Sequence, residues 1–305
     1  MQTSGPPGGG RLPRWLGVVA LLAIATTFGA NHVAARLAFD NGLGVSTAVV
    51  VRSVATALFV LALLRWSRVS LRVPRTTLRR GLLIGALVSI QSICLYSAVA
   101  RIPVALALLT FNTFPMMLGL VSWLAGGERP ARRTLIAMPI ALAGLAIALD
   151  AVGLAAGHGA IPLPELLPGV AFALGASLCF GVVLHLTGLW LHATDGRLRT
   201  LMFMVVVTAV TLVAGSFTTG FDWPVNGAGW LGLVLLTVFY GAAITGLFIV
   251  LPYLGAVNNA AIMNFEPVSA LVLAWLVLDQ TVSPTQLLGG AIVIGAIVYL
   301  STGRR

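Results

Sequence analysis

Two stretches of this chain, 152 residues apart, carry one pattern. Leu109–Glu128 (LTFNTFPMMLGLVSWLAGGE) and Ala261–Gln280 (AIMNFEPVSALVLAWLVLDQ) align without a gap, placing Asn112 on Asn264, Pro115 on Pro267 and Trp123 on Trp275. The same offset carries Phe28-Gly29 onto Phe180-Gly181, Leu95 onto Leu247, Leu135 onto Leu287 and Ile140 onto Ile292. Three uncommon residue types at one spacing, inside apolar runs, are hard to obtain from composition bias. The chain is an internal duplication, and its fold must be assembled from two similar halves.

The solvent of that fold follows from composition. Apolar residues make up 59% and charged residues 9% of the chain, with a mean hydropathy of +1.02. A soluble domain carries about 25% charged residues, so lipid must cover most of this surface. A spanning helix needs about 20 mostly apolar residues. Ten runs qualify: 15–38, 45–66, 80–98, 102–125, 132–150, 166–190, 199–218, 229–251, 254–278 and 284–302. Residues 1–14, Gly/Pro-rich at the start, read as a disordered tail. The first repeat is expected over 15–151 and the second over 165–302. The first run is longer than a signal-peptide core and holds half of a repeated motif, which argues against cleavage. The expectation is an all-α integral membrane protein.

Orientation is written in arginine. The net charge of +10 comes from arginine alone, there being no lysine. With the N-terminus inside, the inner segments collect Arg11, Arg14, Arg65, Arg68, Arg72, Arg75, Arg79, Arg80, Arg129, Arg132, Arg133, Arg197, Arg199, Arg304 and Arg305. Only Arg36 and Arg101 fall at outer ends, and Arg52 lies within the second run. That is a strong positive-inside bias, and both termini are expected in the cytoplasm. Five spans per repeat is odd, so the second copy crosses in the opposite sense. Inverted repeats of this kind are typical of secondary transporters, whose site lies near the bilayer centre between the copies.

Asn112 and Asn264 each sit ten residues into their runs, from opposite sides, hence roughly 15 Å deep. They are candidates to line a polar cavity, the plainer alternative being hydrogen-bonding glue between helices. Pro115 and Pro267 follow three residues later, each freeing a carbonyl on the preceding turn, and with Gly29 and Gly181 they are expected kinks. Gln91, Tyr240 and Phe180 also fall near mid-depth, as ligand contacts or as core. Glu266 is the single carboxylate deep in a run, its repeat partner being Phe114. Intramembrane ionisable groups are proton-relay candidates by default, which also brings in His32 and His185. Arg52 has three readings: binding a substrate carboxylate, snorkelling, or pairing with Asp40.

Nothing else in the chain signals chemistry. HExxH, GxSxG, Walker A and CxxC motifs are absent, and Cys94 and Cys179 lack metal spacing, so no enzyme activity, cofactor, metal site or nucleic-acid partner is expected. The partners expected are a small molecule and the bilayer. The sequence leaves the oligomeric state open.

FGANHVAARLAF (28–39), the Pro115…Glu128 spacing with GGERP, and NFEPVSALVLAWLVLDQTVSPTQLLGG (264–290) resemble the two EamA domains of the drug/metabolite transporter superfamily. The resemblance spans about residues 14–302. It implies ten helices in two inverted five-helix halves around a shared export or exchange cavity. Within the superfamily the chain is similar to bacterial amino-acid exporters, including the aromatic amino acid type, which implies a bacterial inner membrane. Two positions depart from the pattern: Gln280 stands where Glu is usual, with Asp279 one residue early, and Phe28 where Trp is usual before Gly29. The expected function is secondary export or exchange of amino acids or similar small metabolites by alternating access. A cationic-drug or quaternary-ammonium exporter is one alternative, and a membrane enzyme or receptor without transport is another.

Overall fold

A computed structural model describes residues 14–126, 132–148, 162–218, 220–254, 265–279 and 283–301. Among these residues all regular structure is helical: α1 (Arg14–Phe39), α2 (Val45–Trp66), α3 (Arg75–Val99), α4 (Val104–Phe111), α5 (Phe114–Leu124), α6 (Arg132–Ala148), α7 (Leu163–Trp190), α8 (Gly196–Phe217), α9 (Gly227–Leu254), α10 (Glu266–Leu278) and α11 (Pro284–Ser301). Six stretches there are long and apolar enough to cross a membrane: Val45–Trp66, Arg75–Val99, Val104–Leu124, Leu166–Trp190, Gly196–Phe217 and Gly227–Gly246. Glu266–Leu278 and Pro284–Ala296 are shorter apolar helices.

The helices are built for lipid. On α2 the exposed residues include Leu58 and Phe59, while Arg52, Ser53 and Thr56 are buried. A water-soluble helix would reverse that arrangement. Several buried hydroxyls are satisfied within their own helix, Thr56 on the Arg52 carbonyl, Ser89 on Gly85 and Thr110 on Leu106, each at 2.8 Å. In lipid a polar group must find its partner inside the protein.

Helix packing reproduces the duplication. Shifting by 152 residues maps α1 onto α7, α2 onto α8 and α3 onto α9. The packing of α1 on α9 then has its counterpart in α7 on α3, and α2 on α9 has its counterpart in α8 on α3. The pair α1–α10 likewise matches α7–α5, while α2–α8 and α6–α11 each pair equivalent helices. The equivalents α2 and α8 run antiparallel. At one end Arg197 Nη1 donates to Ser67 Oγ at 3.1 Å, and at the other the Gly44 amide donates to the Asp222 carbonyl at 3.0 Å. Opposed equivalents in a two-fold packing scheme constitute an inverted repeat. The Ser67–Arg197 contact also brings the arginine-bearing α2–α3 connection and the arginine-bearing first turn of α8 to one end of the bundle. There Asp195 caps α8, accepting from the Arg197 amide at 2.8 Å. Hydrogen bonding by the Arg197 side chain holds the Asp195 carboxyl below the usual range.

The run expected as one helix over 102–125 is two. Helix α4 closes at Phe111 and α5 opens at Phe114, with Asn112 and Thr113 between them. Pro115, in the first turn of α5, has no amide hydrogen to give the Phe111 carbonyl. Asn112 caps the end of α4 one turn earlier: its backbone N–H and its side-chain Nδ2 both donate to the Leu108 carbonyl at 2.8 Å. Pro267 takes the same place in the first turn of α10.

Gly29 and Gly181 do not interrupt their helices, which run on through both positions. Their use is close contact. A Cβ on Gly29 would meet Ser269 Oγ at 2.6 Å, the Ala270 amide nitrogen at 3.0 Å and the Glu266 carbonyl at 3.1 Å. A Cβ on Gly181 would meet the Leu118 amide nitrogen at 2.9 Å. The repeated Phe-Gly thus sets how closely α1 lies on α10 and α7 on α5, in the manner of small residues at membrane-helix interfaces.

Candidate functional site

One buried polar network joins α1, α2, α3, α9 and α10. At its centre is Arg52, only 4% exposed. Its Nη2 donates to Ser92 Oγ at 3.1 Å and its Nη1 to the Tyr96 hydroxyl at 3.2 Å. The guanidinium carbon lies 3.9 Å from the centroid of the Tyr240 ring and 4.6 Å from that of Tyr96. A π-face against a desolvated cation stabilises it by about 2 kcal/mol or more. The Tyr96 hydroxyl, accepting from Arg52, donates onward to Asn31 Oδ1 at 3.1 Å. His32, one residue along, sets its ring edge-on to Tyr96 at 5.8 Å and holds Nε2 3.4 Å from Glu266 Oε1. An arginine, a tyrosine pair, an asparagine, a histidine and a carboxylate therefore form one connected set inside the bundle.

The set takes Asn31, His32, Arg52, Ser92 and Tyr96 from the first half of the duplication and Tyr240 and Glu266 from the second, and its repeat-related counterpart is apolar. The 152-residue shift places Val183 for Asn31, Leu184 for His32, Met204 for Arg52, Phe248 for Tyr96 and Phe114 for Glu266. Shifting back from Tyr240 gives Val88. Every polar member faces an apolar equivalent. Met204 and Val88 pack in the core between α8 and α3, which is the counterpart of the interface where Arg52 meets Tyr240. The scaffold is thus built without these groups at the repeat-related placement, so folding alone does not demand them here. Burying them is costly, about 2.5–3.5 kcal/mol for an arginine at the centre of a membrane helix.

The sequence-derived candidates land in different places. Glu266 and His32 come together, a pairing not visible from spacing. Tyr240 joins the network as the nearer ring over Arg52, and its own neighbour is Phe28 at 6.2 Å. Gln91 reaches the edge of the network, its Oε1 3.5 Å from Ser92 Oγ. Asn112 is buried at the α4–α5 break, while Asn264 lies outside the described residues. Phe180 packs with Phe111 at 5.5 Å and Phe114 at 4.9 Å, in an aromatic cluster. His185 sits apart, Nδ1 3.0 Å from Ser122 Oγ. Asp40 is not the partner of Arg52: it pairs with Arg36 at 2.9 Å, one helical turn away on its own segment. Sequence reasoning missed Asn31, Ser92 and Tyr96. The signal available was asymmetry, since Asn31 and Tyr96 are polar where the offset gives valine and phenylalanine.

Comparison with known proteins identifies the assembly. A sequence model described as "EamA-like transporter family" matches residues 15–149 and again 167–302. The chain belongs to this family. It is an EamA membrane transporter of the drug/metabolite transporter superfamily, carrying the family unit twice. No curated protein matches the chain. A solved structure described only as "Crystal structure of protein" is similar in fold, with a TM-score of 0.63 at 18% identity over 94% of this chain and 98% of that one. Within an EamA transporter the asymmetric polar network is the natural candidate for ligand handling, since the two copies of the unit form two repeat-related placements and only one of them is polar.

Proposed function

We propose that this EamA protein is a secondary exporter or exchanger of amino acids or similar small amphipathic metabolites. It works by alternating access to a central site between the two halves, with no chemical step. The observation that supports this reading best is the buried Arg52–Tyr96–Asn31 network, which offers N–H donors beside aromatic surface. Asn112, Asn264, Gln91, Tyr240 and Phe180 are the proposed ligand contacts, and Glu266 with His32 the coupling pair. His185 is a secondary relay candidate. A cationic-drug exporter is disfavoured by the same residues, because Arg52 repels a cation and Glu266 already faces His32. Sealed proteoliposomes supplied with a panel of labelled amino acids test the reading. Uptake above that of protein-free vesicles is expected for some members and for none of a set of quaternary ammonium compounds. The reverse pattern would make the protein a cation exporter.

The proposed home is a bacterial inner membrane, crossed ten times, with both termini cytoplasmic. The motivation is the arginine asymmetry, together with the packing that puts Ser67 and Arg197 at one end and Asn41 and Asn226, bonded at 2.6 Å, at the other. Single cysteines at Asn226 and at Gly159, the latter outside the described residues, should react with an impermeant thiol reagent in intact cells. A cysteine at Ser70 should not, and its labelling from outside would reverse the orientation.

Asn112 separates a ligand role from a structural one. Its Nδ2 is committed to Leu108, which leaves the amide oxygen for a ligand. Asn112→Leu loses the helix-closing bond, at about 0.6–1.7 kcal/mol for a membrane hydrogen bond, and should leave the protein folded. Transport by that folded variant is expected to fall well below wild type. Full transport would reduce Asn112 to a helix cap.

A further inference from the structure

We propose that Arg52 and Asn31 form the anion-binding point of the site, so that its ligands are recognised by a carboxylate. This rests on the transport reading and narrows it to a substrate class. Two buried N–H groups point to it. Arg52 Nε and Asn31 Nδ2 are both without a hydrogen-bond partner, though Arg52 is 4% exposed and Asn31 fully buried. Their orientation is fixed by the hydroxyl between them. Tyr96 accepts from Arg52 and so donates to Asn31 Oδ1, which turns the Asn31 amide to leave Nδ2 unused. Arginine presents donors in a planar fork that matches a carboxylate. Among the described residues Arg52 has no ion pair, since Glu266 faces His32 and the other pairs are Arg36–Asp40 and Arg197–Asp195. A buried cation without a counter-charge, flanked by an unsatisfied amide donor, is completed by an acceptor-only anion brought from outside.

The duplication weakens the structural alternative. The counterpart interface between α8 and α3 is made with Met204 and Val88 in core packing. If Arg52 served only to join α2 to α9, an apolar pair would do so at less cost, as buried ion groups are replaceable by packed hydrophobes. The same comparison supplies the test variant: Arg52→Met places in the first copy what the second already uses.

Binding to the purified full-length protein is followed by thermal unfolding, titrating 3-phenylpropionate, a carboxylate without an amine, and 2-phenylethylamine, an amine without a carboxylate. The wild type should be stabilised by the carboxylate and not by the amine. Arg52→Met should weaken the carboxylate at least about tenfold, and Asn31→Leu should weaken it less, as the loss of a neutral donor. Stabilisation by the amine alone, by both equally, by neither, or an undiminished response in folded Arg52→Met would overturn the assignment. Should Arg52→Met fail to fold, the wild-type order of the two probes decides. If the carboxylate binds as stated while proteoliposomes carry no amino acid, the transport reading fails and the anion site stands.

Discussion

Glu266→Gln is expected to abolish accumulation driven by a pH gradient while leaving downhill exchange of substrate intact. Glutamine keeps the shape and hydrogen bonding of the neutral acid but cannot carry a proton. The groups that face position 266 make this a clean exchange: His32 Nε2 on α1 lies 3.4 Å away, and behind His32 stand Tyr96 and, through its hydroxyl, Arg52. With one proton exchanged per substrate, a gradient of one pH unit supports about tenfold accumulation, equivalent to about 1.4 kcal/mol. The variant should show none. Flux measured in proteoliposomes at zero membrane potential reads this directly. A wild type indifferent to the imposed gradient would leave Glu266 and His32 a structural pair joining α1 to α10.

The second large effect is expected at Gly29. Even Gly29→Ala puts a methyl group against the backbone of α10, with the Ala270 nitrogen at 3.0 Å and the Glu266 carbonyl at 3.1 Å. Backbone cannot rotate aside as a side chain can. Alanine favours an exposed helix interior over glycine by about 1 kcal/mol, but overpacking costs about 1–3 kcal/mol, and displacing α10 would also separate His32 from Glu266. Gly29→Val should therefore lose most folded protein, and Gly29→Ala should lower the unfolding temperature and impair pH-driven flux. Gly188→Ala is the control: beyond its own stretch of helix backbone nothing lies within 4 Å of where its Cβ would stand, so that variant should be neutral or slightly stabilised. Wild-type stability and flux in Gly29→Ala would mean that the close approach of α1 to α10 is not required.

The duplication and the all-helical fold were legible in the sequence because each is a matter of period or length. The division at Asn112–Thr113 was half legible: Pro115 announces a missing donor, but whether a helix bends or stops depends on what receives the freed groups. Here Asn112 closes α4 with its own side chain. The pairing of His32 with Glu266, 234 positions apart, and the aromatic cage of Arg52 are products of helix packing and have no local signature. The close contact at Gly29 was hidden for a related reason. A glycine inside a membrane helix suggests a kink when the neighbour is unknown, and only the nearness of Ser269 and Ala270 shows that it makes room.

The alternating access proposed for this EamA transporter requires one site serving both faces of the membrane, and trans-stimulation measures that. Sealed proteoliposomes preloaded with an unlabelled amino acid that the protein carries should take up the labelled compound several times faster than unloaded vesicles, because a loaded site returns faster than an empty one. Uptake indifferent to the internal load, or equal to that of protein-free vesicles, would contradict alternating access through this chain.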